Sequence, residues 1–517
     1  MKTRAINDIS SAKLLSQNKL LQEKNALLHE EINRLKQQNK NLIEQFKLAQ
    51  QKRFDRSSEK CKEQMSLFDE AEADTDTEAK EDEPEETQTI TYERRKPKRV
   101  SLPKSLPREV VTVDVSDEEK LCDCGCEKKH IGDETTEKLD FVPASVKVIA
   151  YVRPKYACNR CDNGVSIADM PKLFLPKSIA TPGLVAQTII SKFEDHLPLY
   201  RQEKIWQRNG IEIPRSTACD WLMKTYEYCI PLADALLKHI KQANYLQADE
   251  TPVLVMDEPG RENTTKSYMW VYRRVDHDKP ATYFEYQPGR SADFPKAVLD
   301  GFKGYLQTDC YKGYDFVDEF EEAIRIACMA HARRPFAELV KVAKKTGKSH
   351  QALAYIRELY SIEKEAKEKE LSFDERYKLR LEKAVPILEK LKTWLDKTTL
   401  TAVPDSKLAK GINYMLNHWK KLIGYLKDGR LEIDNNGAEN CIRPFAVGRK
   451  NWLFSGSPRG ARASSFFYSL TATAKENGLM PYDYLRYLFE NIIHAKTEQD
   501  YIDLLPFNCK EEIALSN

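Results

Sequence analysis

Two aspartates stand inside stretches that otherwise read as apolar strands. Asp249 lies near the middle of YLQADETPVLV (245–255), and Asp309 closes GYLQTDC, both runs with the alternation and the β-branched and aromatic content of strands. The chain holds 80 acids, so a scatter of carboxylates means nothing by itself. What singles these two out is the apolar strand around each of them.

The neighbouring segments constrain the fold further. SYMWVYRRV and ATYFEYQ read as two more strands after the first, SADFPKAVL as a short helix, GYLQTDC as the fourth strand, and IRIACMAH as a fifth beyond a short helical piece. Three strands, a helix, a strand, a helix and a strand is the order of a ribonuclease-H-like α/β core. In that fold the first and fourth strands are adjacent, so Asp249 and Asp309 are expected to meet. A third acid must come from a later helix, and Glu439 in LEIDNNGAENCIRPFAVGRKNWLFSGSPRG is the candidate, with Asp434 as a nearby competitor. Three carboxylates suit two Mg²⁺ (or Mn²⁺) ions whose remaining positions are filled by water and phosphate oxygens. Such a pair activates an attacking oxygen and stabilises a leaving one at phosphorus. Cys328 and His331 in CMAHARRPF have metal-ligand spacing but no second pair nearby in sequence, which reads as a buried thiol and a hydrogen-bonding His. His331, with Arg334 beside it, is an auxiliary candidate for orienting a phosphate. Residues 335–430 are charged and helical, an all-α insertion between the second Asp and the Glu.

At the other end of the chain, leucines at 14, 21, 28, 35 and 42 form a seven-residue repeat. With these at d, the a positions are Asn18, Asn25, Ile32, Asn39 and Phe46, and buried Asn at a favours a two-stranded parallel coil. Residues 9–50 therefore read as a dimerising zipper, followed by a charged linker over 51–110. The formal net charge of +2 is misleading. The run at 69–86 carries 11 acids, and without it the chain has 81 Lys+Arg against 69 Asp+Glu, a net of +12. The acidic run is expected to shield basic surfaces when an anionic partner is absent. No apolar stretch approaches the roughly 18 residues of a membrane span, and the N-terminus has no signal-peptide pattern, so a cytoplasmic, nucleoid-associated protein is expected.

Five of the twelve cysteines cluster. Cys122, Cys124 and Cys126 in LCDCGCEKKH, then Cys158 and Cys161 in KYACNRC, flank a strand-like stretch, and residues 111–170 read as a ribbon holding one structural Zn²⁺. Four of the five thiols serve, or His130 replaces one. Residues 180–240 are helical. Within them, IWQRNG followed by IEIPRSTACDWL resembles a helix-turn-helix, the second helix capped by Ser216 or Thr217, with Trp221 and Leu222 inward and Arg215, Ser216 and Thr217 at the end that meets base edges. Ordinary helical hairpins look the same. Residues 440–475 contain no acid, and Arg443, Arg449, Lys450, Trp452 and Arg459 suit a phosphate backbone with stacked bases, or else a helix covering the sheet.

QADET, LQTDCYKGY, CMAHARRPF, DNNGAENCIRPFAVGRKNWLFSGSPRGARASSFFYSL and TAKENGLMPYDYL resemble the signature blocks of transposases of the insertion sequence 66 family, and RFDRSSEK and RPKYACNRC resemble the same proteins upstream. The resemblance runs from the zipper to the C-terminus. It implies a DDE transposase with Asp249, Asp309 and Glu439 as its triad in a catalytic domain over 241–480, a helical tail over 481–517, and accessory proteins from the same element. It further implies binding to terminal inverted repeats and target DNA, hydrolysis at the element's ends, and joining of the 3′-OH ends by a homodimer or larger assembly. The rivals are a DDE-type nuclease and a catalytically silent, transposase-derived DNA-binding protein. The sequence departs from the family in its Cys-x-Cys-x-Cys, which leaves the zinc ligands open.

Overall fold

The structure, a computed structural model, describes residues 19, 21, 22, 24–36, 38, 39, 42, 43, 45–47, 146–157, 165–342 and 346–516. Leu14, the 51–110 linker with its acidic run, and Cys122, Cys124, Cys126, Cys158 and Cys161 lie outside these residues. The chain divides into two compact units, 79–171 and the remainder. In the first, strands β1 (Lys155–Ala157) and β2 (Val165–Ile167) pair antiparallel, and in sequence they bracket Cys158 and Cys161. In the second, every described residue between 19 and 47 is helical, and Leu21, Leu28, Leu35 and Leu42 are all exposed.

The main body is built on a mixed sheet of five strands: β3 (Tyr245–Leu254), β4 (Lys266–Arg274), β5 (Ala281–Gln287), β6 (Gly304–Thr308) and β7 (Ala323–Ala327), in the order β5-β4-β3-β6-β7. β3, β4 and β5 form an antiparallel meander, and β6 and β7 add in parallel beside β3. Trp270, Val271 and Tyr272 of β4 are all fully buried, and since neighbours in a strand alternate between faces, both faces of this interior strand are covered. The outer edge of β5 is closed by a helix rather than another strand. Ser469 Oγ accepts from the Phe284 amide at 2.7 Å and Thr473 Oγ1 from the Thr282 amide at 3.1 Å, hydroxyls one helical turn apart meeting amides two residues apart.

Four helices precede the sheet: α1 (Pro182–Phe193), α2 (Leu199–Arg208), α3 (Arg215–Tyr228) and α4 (Ile230–Lys241). Thr181 caps α1 by accepting from the Leu184 amide at 3.3 Å, with Pro182 at the position whose missing N–H is harmless. α2 ends at Asn209 and Gly210, and Gly210 turns the chain with φ of +76°. Trp221 and Leu222 face inward as the sequence predicts. The cap of α3 differs from that expectation. The helix starts at Arg215 with Pro214 at the cap position, so Ser216 and Thr217 already lie inside it and cap nothing. Pro214, with its φ of −60° and extended ψ, starts the helix without a side-chain acceptor.

After β5 come α5 (Asp293–Leu299), β6, a 3₁₀ turn (Lys312–Glu319) and β7. α6 (Met329–Val342), α7 (Lys348–Glu368), α8 (Phe373–Leu379), α9 (Val385–Thr399) and α10 (Lys407–Asn417) then build a helical body with its own core of Phe336, Ile356, Leu359, Leu391, Ile412 and Met415. A π turn at Arg380–Ala384 joins α8 to α9. There Arg380, fully buried, donates to Glu363 and to the carbonyls of Tyr425, Asp428 and Leu431 at 2.7–3.0 Å. The chain then enters α11 (Asn436–Trp452) and α12 (Pro458–Glu476), which pack on β3 and β5 respectively. Among the described residues, no helix is long and apolar enough to cross a membrane.

Candidate active site

The parallel pairing of β3 and β6 sets Gln247 opposite Gln307. Two residues on, that parallel direction leads β3 to Asp249 and carries the chain past the end of β6 to Asp309, close enough for the charge of Asp309 to act on Asp249. Both segments read Gln-x-Asp, and each Gln has work of its own. Gln247 Nε2 donates to Gln307 Oε1 at 3.0 Å and to Glu432 Oε2 at 2.7 Å, while Gln307 Nε2 donates to the Glu432 carbonyl at 2.9 Å. This buried amide pair grips the segment that leads into α11. The Tyr311 amide donates to Asp309 Oδ1 at 2.8 Å, closing a turn in which Cys310 takes a φ of +67°. That left-handed residue is the kind of local strain that collects at functional sites.

Further bonds seat the start of α11 on β3. Asn435 Nδ2 donates to the Ala248 carbonyl at 3.1 Å, its amide to Cys328 Sγ at 3.2 Å, and the Met329 amide to the Ile433 carbonyl at 3.1 Å. Gly437 is required by the closeness of this contact. A Cβ there would stand 2.3 Å from Arg273 Nη1 and 2.4 Å from Gln247 Oε1, and those two atoms are themselves hydrogen-bonded at 2.9 Å. Gly437→Ala is expected to destabilise the protein by about 1–3 kcal/mol through overpacking, read from urea denaturation midpoints. An unchanged midpoint would show that the helix start can shift freely.

Glu439 lies in the first turn of α11, 3% exposed, with Oε1 3.4 Å from His331 Nδ1 at the start of α6. Asp434, its competitor in sequence, does a different job. Its carboxylate accepts from the Asn436 amide at 3.0 Å and from Tyr360 OH at 2.7 Å, tying the loop to α7. Asp249, Asp309 and Glu439 thus come from β3, from the turn after β6 and from α11, and the charges of the latter two both reach Asp249.

Their charges press on one another. Burial pushes the Asp249 carboxyl well above the usual carboxylate range, and Glu250, Glu439 and Asp309 push it further. Such mutual repulsion, on hard oxygen donors, is what a divalent cation relieves. Burial, then the charge of Arg334, pushes His331 down to about 4 against the opposing influence of Asp309, so its imidazole is neutral at pH 7. Cys328 Sγ, a His331 ring nitrogen and a Glu439 oxygen all lie within 4.8 Å of one another. The pair with no partner nearby in sequence gains a third donor from a residue more than a hundred positions away.

Glu250 escaped the sequence reading, although it sits next to Asp249. Its side chain accepts from Arg290 Nε at 2.7 Å and Tyr314 OH at 3.3 Å, and the charge of Asp309 acts on it as well as on Asp249. Arg290 in turn lies over the Tyr311 ring, 3.8 Å from its centre, and Tyr311 OH donates to the Arg290 carbonyl at 2.6 Å. This braces the turn that carries Asp309. The partners of Glu250, Arg290 and Tyr314, are 40 and 64 positions away, so no signal near it in the sequence marks it. Gln247 and Gln307 had one in the repeated Gln-x-Asp.

The basic candidates separate. Arg215 and Ser216 are exposed at the start of α3 and Thr217 is half-buried. Lys450 is exposed, whereas Arg449 donates to Thr251 Oγ1 and the Pro252 carbonyl and so anchors α11 to β3. Trp452 packs edge-on against the buried Phe445, ring centres 5.4 Å apart, and Arg459 pairs with Glu227. Arg443 is half-buried. Part of the cationic stretch therefore covers the sheet, while Lys450 and the exposed Leu453 and Phe454 face solvent.

Comparison with known proteins gives the class. Residues 177–463 match the family model described as "Transposase IS66 family", 119–162 the "zinc-finger binding domain of transposase IS66", 469–507 the "IS66 C-terminal element", and 41–111 the "Transposase C of IS166 homeodomain". Three uncharacterised proteins of Sinorhizobium fredii are similar along most of their length. y4jD is 34% identical, covering 80% of this chain and 82% of its own. y4qI is 34% identical, covering 81% and 79%, and y4hP 30% identical, covering 82% and 79%. The protein is a transposase with DNA-binding features, a nucleotidyl transferase by class, and its zinc-finger segment supports a zinc site. The chain belongs to the IS66 transposase family.

Proposed function

We propose that this transposase cuts and joins DNA at the ends of a bacterial insertion sequence through Asp249, Asp309 and Glu439. The reading is supported by the charges of Glu439 and Asp309 both acting on buried Asp249, in a five-stranded sheet whose strand order suits a ribonuclease-H-like core. In this reading the acids hold two Mg²⁺ or Mn²⁺ ions, and a donor set of hard oxygens, with Asp249 held well above the usual carboxylate range by burial and its acidic neighbours, fits them. The ions, when bound, supply Lewis acidity to an attacking and a leaving oxygen in line. The chain's own contribution is positional: the Gln247–Gln307 pair holds both aspartates level, the Asn435 and Gly437 contacts seat Glu439, and neutral His331 is available to hold a phosphate oxygen.

Recognition is assigned to the start of α3 (Arg215, Ser216, Thr217) for terminal-repeat bases and to Lys450 and its neighbours for phosphates. Four of Cys122, Cys124, Cys126, Cys158 and Cys161 hold one Zn²⁺, and the exposed leucine stripe of the N-terminal helix pairs with that of a second copy. Accessory proteins of the same element and a place at the nucleoid complete the reading.

The test is strand transfer. Purified protein, Mg²⁺ and a pre-cleaved duplex bearing the element's end are expected to yield joined products with a target plasmid. Cutting without joining would leave a nuclease, and end binding with neither reaction would leave a silent DNA-binding protein. Lys450→Ala is expected to lower the slope of log affinity against log salt by about 1, and an unchanged slope would remove Lys450 from the interface.

A further inference from the structure

We propose that Cys328, His331 and Glu439 form a second zinc site, and that zinc bound there inhibits the protein by engaging Glu439. The inhibitory half rests on Glu439 being the third catalytic carboxylate; the binding half does not.

The three ligands come from three elements brought together by the fold: Cys328 directly after β7, His331 in the first turn of α6, and Glu439 in the first turn of α11. Their donor atoms lie within 4.8 Å of one another, and His331 Nδ1 is 3.4 Å from Glu439 Oε1. Nitrogen and oxygen ligands at about 2.0–2.1 Å from a tetrahedral zinc ion stand roughly 3.3–3.4 Å apart. That edge of the tetrahedron is already built. Cys328 Sγ lies within 4.8 Å of both other donors, against the roughly 3.6 Å of a tetrahedral sulfur edge, so zinc binding draws the sulfur and its two partners closer.

The donor chemistry separates this site from its neighbour. A thiolate, an imidazole and one carboxylate select zinc, whereas the hard carboxylate set of Asp249, Asp309 and Glu439 suits magnesium. The two sites share Glu439, so filling one withdraws a ligand from the other. A thiol gives up its proton to become a zinc ligand. Zinc binding therefore replaces the S–H bond with an S–Zn bond and releases one proton to solvent. The Asn435 amide already donates to that sulfur, a second contact that steadies the thiolate. Three protein ligands leave the fourth position for water, the pattern of open zinc sites.

The experiment counts zinc in the full-length protein at micromolar free zinc and no magnesium, for wild type, Cys328→Ser, His331→Gln and Asp249→Asn. Wild type and Asp249→Asn are expected to hold one zinc more per chain than Cys328→Ser and His331→Gln. Equal content in all four overturns the site, whatever the DNA chemistry, and His331→Gln decides the matter if Cys328→Ser does not fold. In cleavage assays with Mg²⁺, zinc is expected to lower the wild-type rate at least tenfold at a concentration that leaves the residual rate of Cys328→Ser unaffected. An extra zinc without inhibition overturns the regulatory half. If wild type cleaves no DNA, the proposed function fails while the zinc count still stands.

Discussion

Asp249→Asn is expected to abolish cleavage and joining, by about 10³-fold or more, while end binding stays within a factor of two of wild type. A group that acts as part of a unit loses nearly the whole catalytic effect when removed, whereas phosphate and base contacts lie elsewhere in the proposed interface. The same substitution is expected to stabilise the metal-free protein. Burial and the charges of Glu250, Glu439 and Asp309 hold the Asp249 carboxyl well above its unfolded value. The folded state therefore binds that proton more tightly than the unfolded one. As pH rises from about 4, the ordinary carboxylate value, toward the raised folded value, the wild type loses stability that the Asn variant keeps. In magnesium-free buffer the variant is expected to melt about 2–4 °C higher at neutral pH, a difference of about 1 kcal/mol, with the gap closing as pH falls to 4. Adding Mg²⁺ is expected to raise the wild-type melting temperature and leave the variant's nearly unmoved. A variant that melts lower than wild type without magnesium would mean that Asp249 is a structural acid.

Arg380→Met is expected to be the most destabilising single change in the helical body, at about 3–5 kcal/mol, the scale for breaking a buried ion pair by removing one partner. Arg380 is fully buried and its guanidinium is spent on Glu363 and on the carbonyls of Tyr425, Asp428 and Leu431. Met fills similar space but donates nothing, so one carboxylate and three carbonyls lose a donor out of reach of bulk water. Pairing it with Glu363→Leu removes the stranded charge, yet Arg376 then loses its own acceptor and the three carbonyls stay unmet. The double variant is therefore expected to recover only part of the loss. Full recovery in urea denaturation would show that the carbonyl contacts contribute little. Those carbonyls belong to the segment that delivers Glu432 to the Gln pair and Glu439 to the aspartates, so the single variant is also expected to lose activity at temperatures where it remains folded.

Much of the site was legible before folding because its signals are local. An aspartate within an apolar strand, the alternation of YLQADETPVLV and the breaks between strands depend only on residues within a few positions of one another. The inward faces of Trp221 and Leu222 follow from helical period in the same way. The cap of α3 was misread for a related reason: Ser and Thr suit a cap in isolation, but Pro214 had already set the dihedral that starts the helix. Glu250 carries no local mark because the Arg290 and Tyr314 that hold it are 40 and 64 positions away.

Long-range partners are a different matter. Whether Asp434 or Glu439 faces the aspartates is decided by Tyr360, which reaches across from α7 to claim Asp434. Whether Arg449 is available to DNA is decided by Thr251 and the Pro252 carbonyl. Cys328 and His331 lacked a third donor until the strap through Ile433, Asn435 and Gly437 carried Glu439 to them. Residue types and their spacing along the chain were enough to pick out two aspartates in or just after strands that prove to be neighbours in the sheet, since a strand's alternation is local. The choice among equivalent acids, cations and thiols needed the tertiary structure, because burial and hydrogen-bond competition are set by residues roughly seventy to two hundred positions apart.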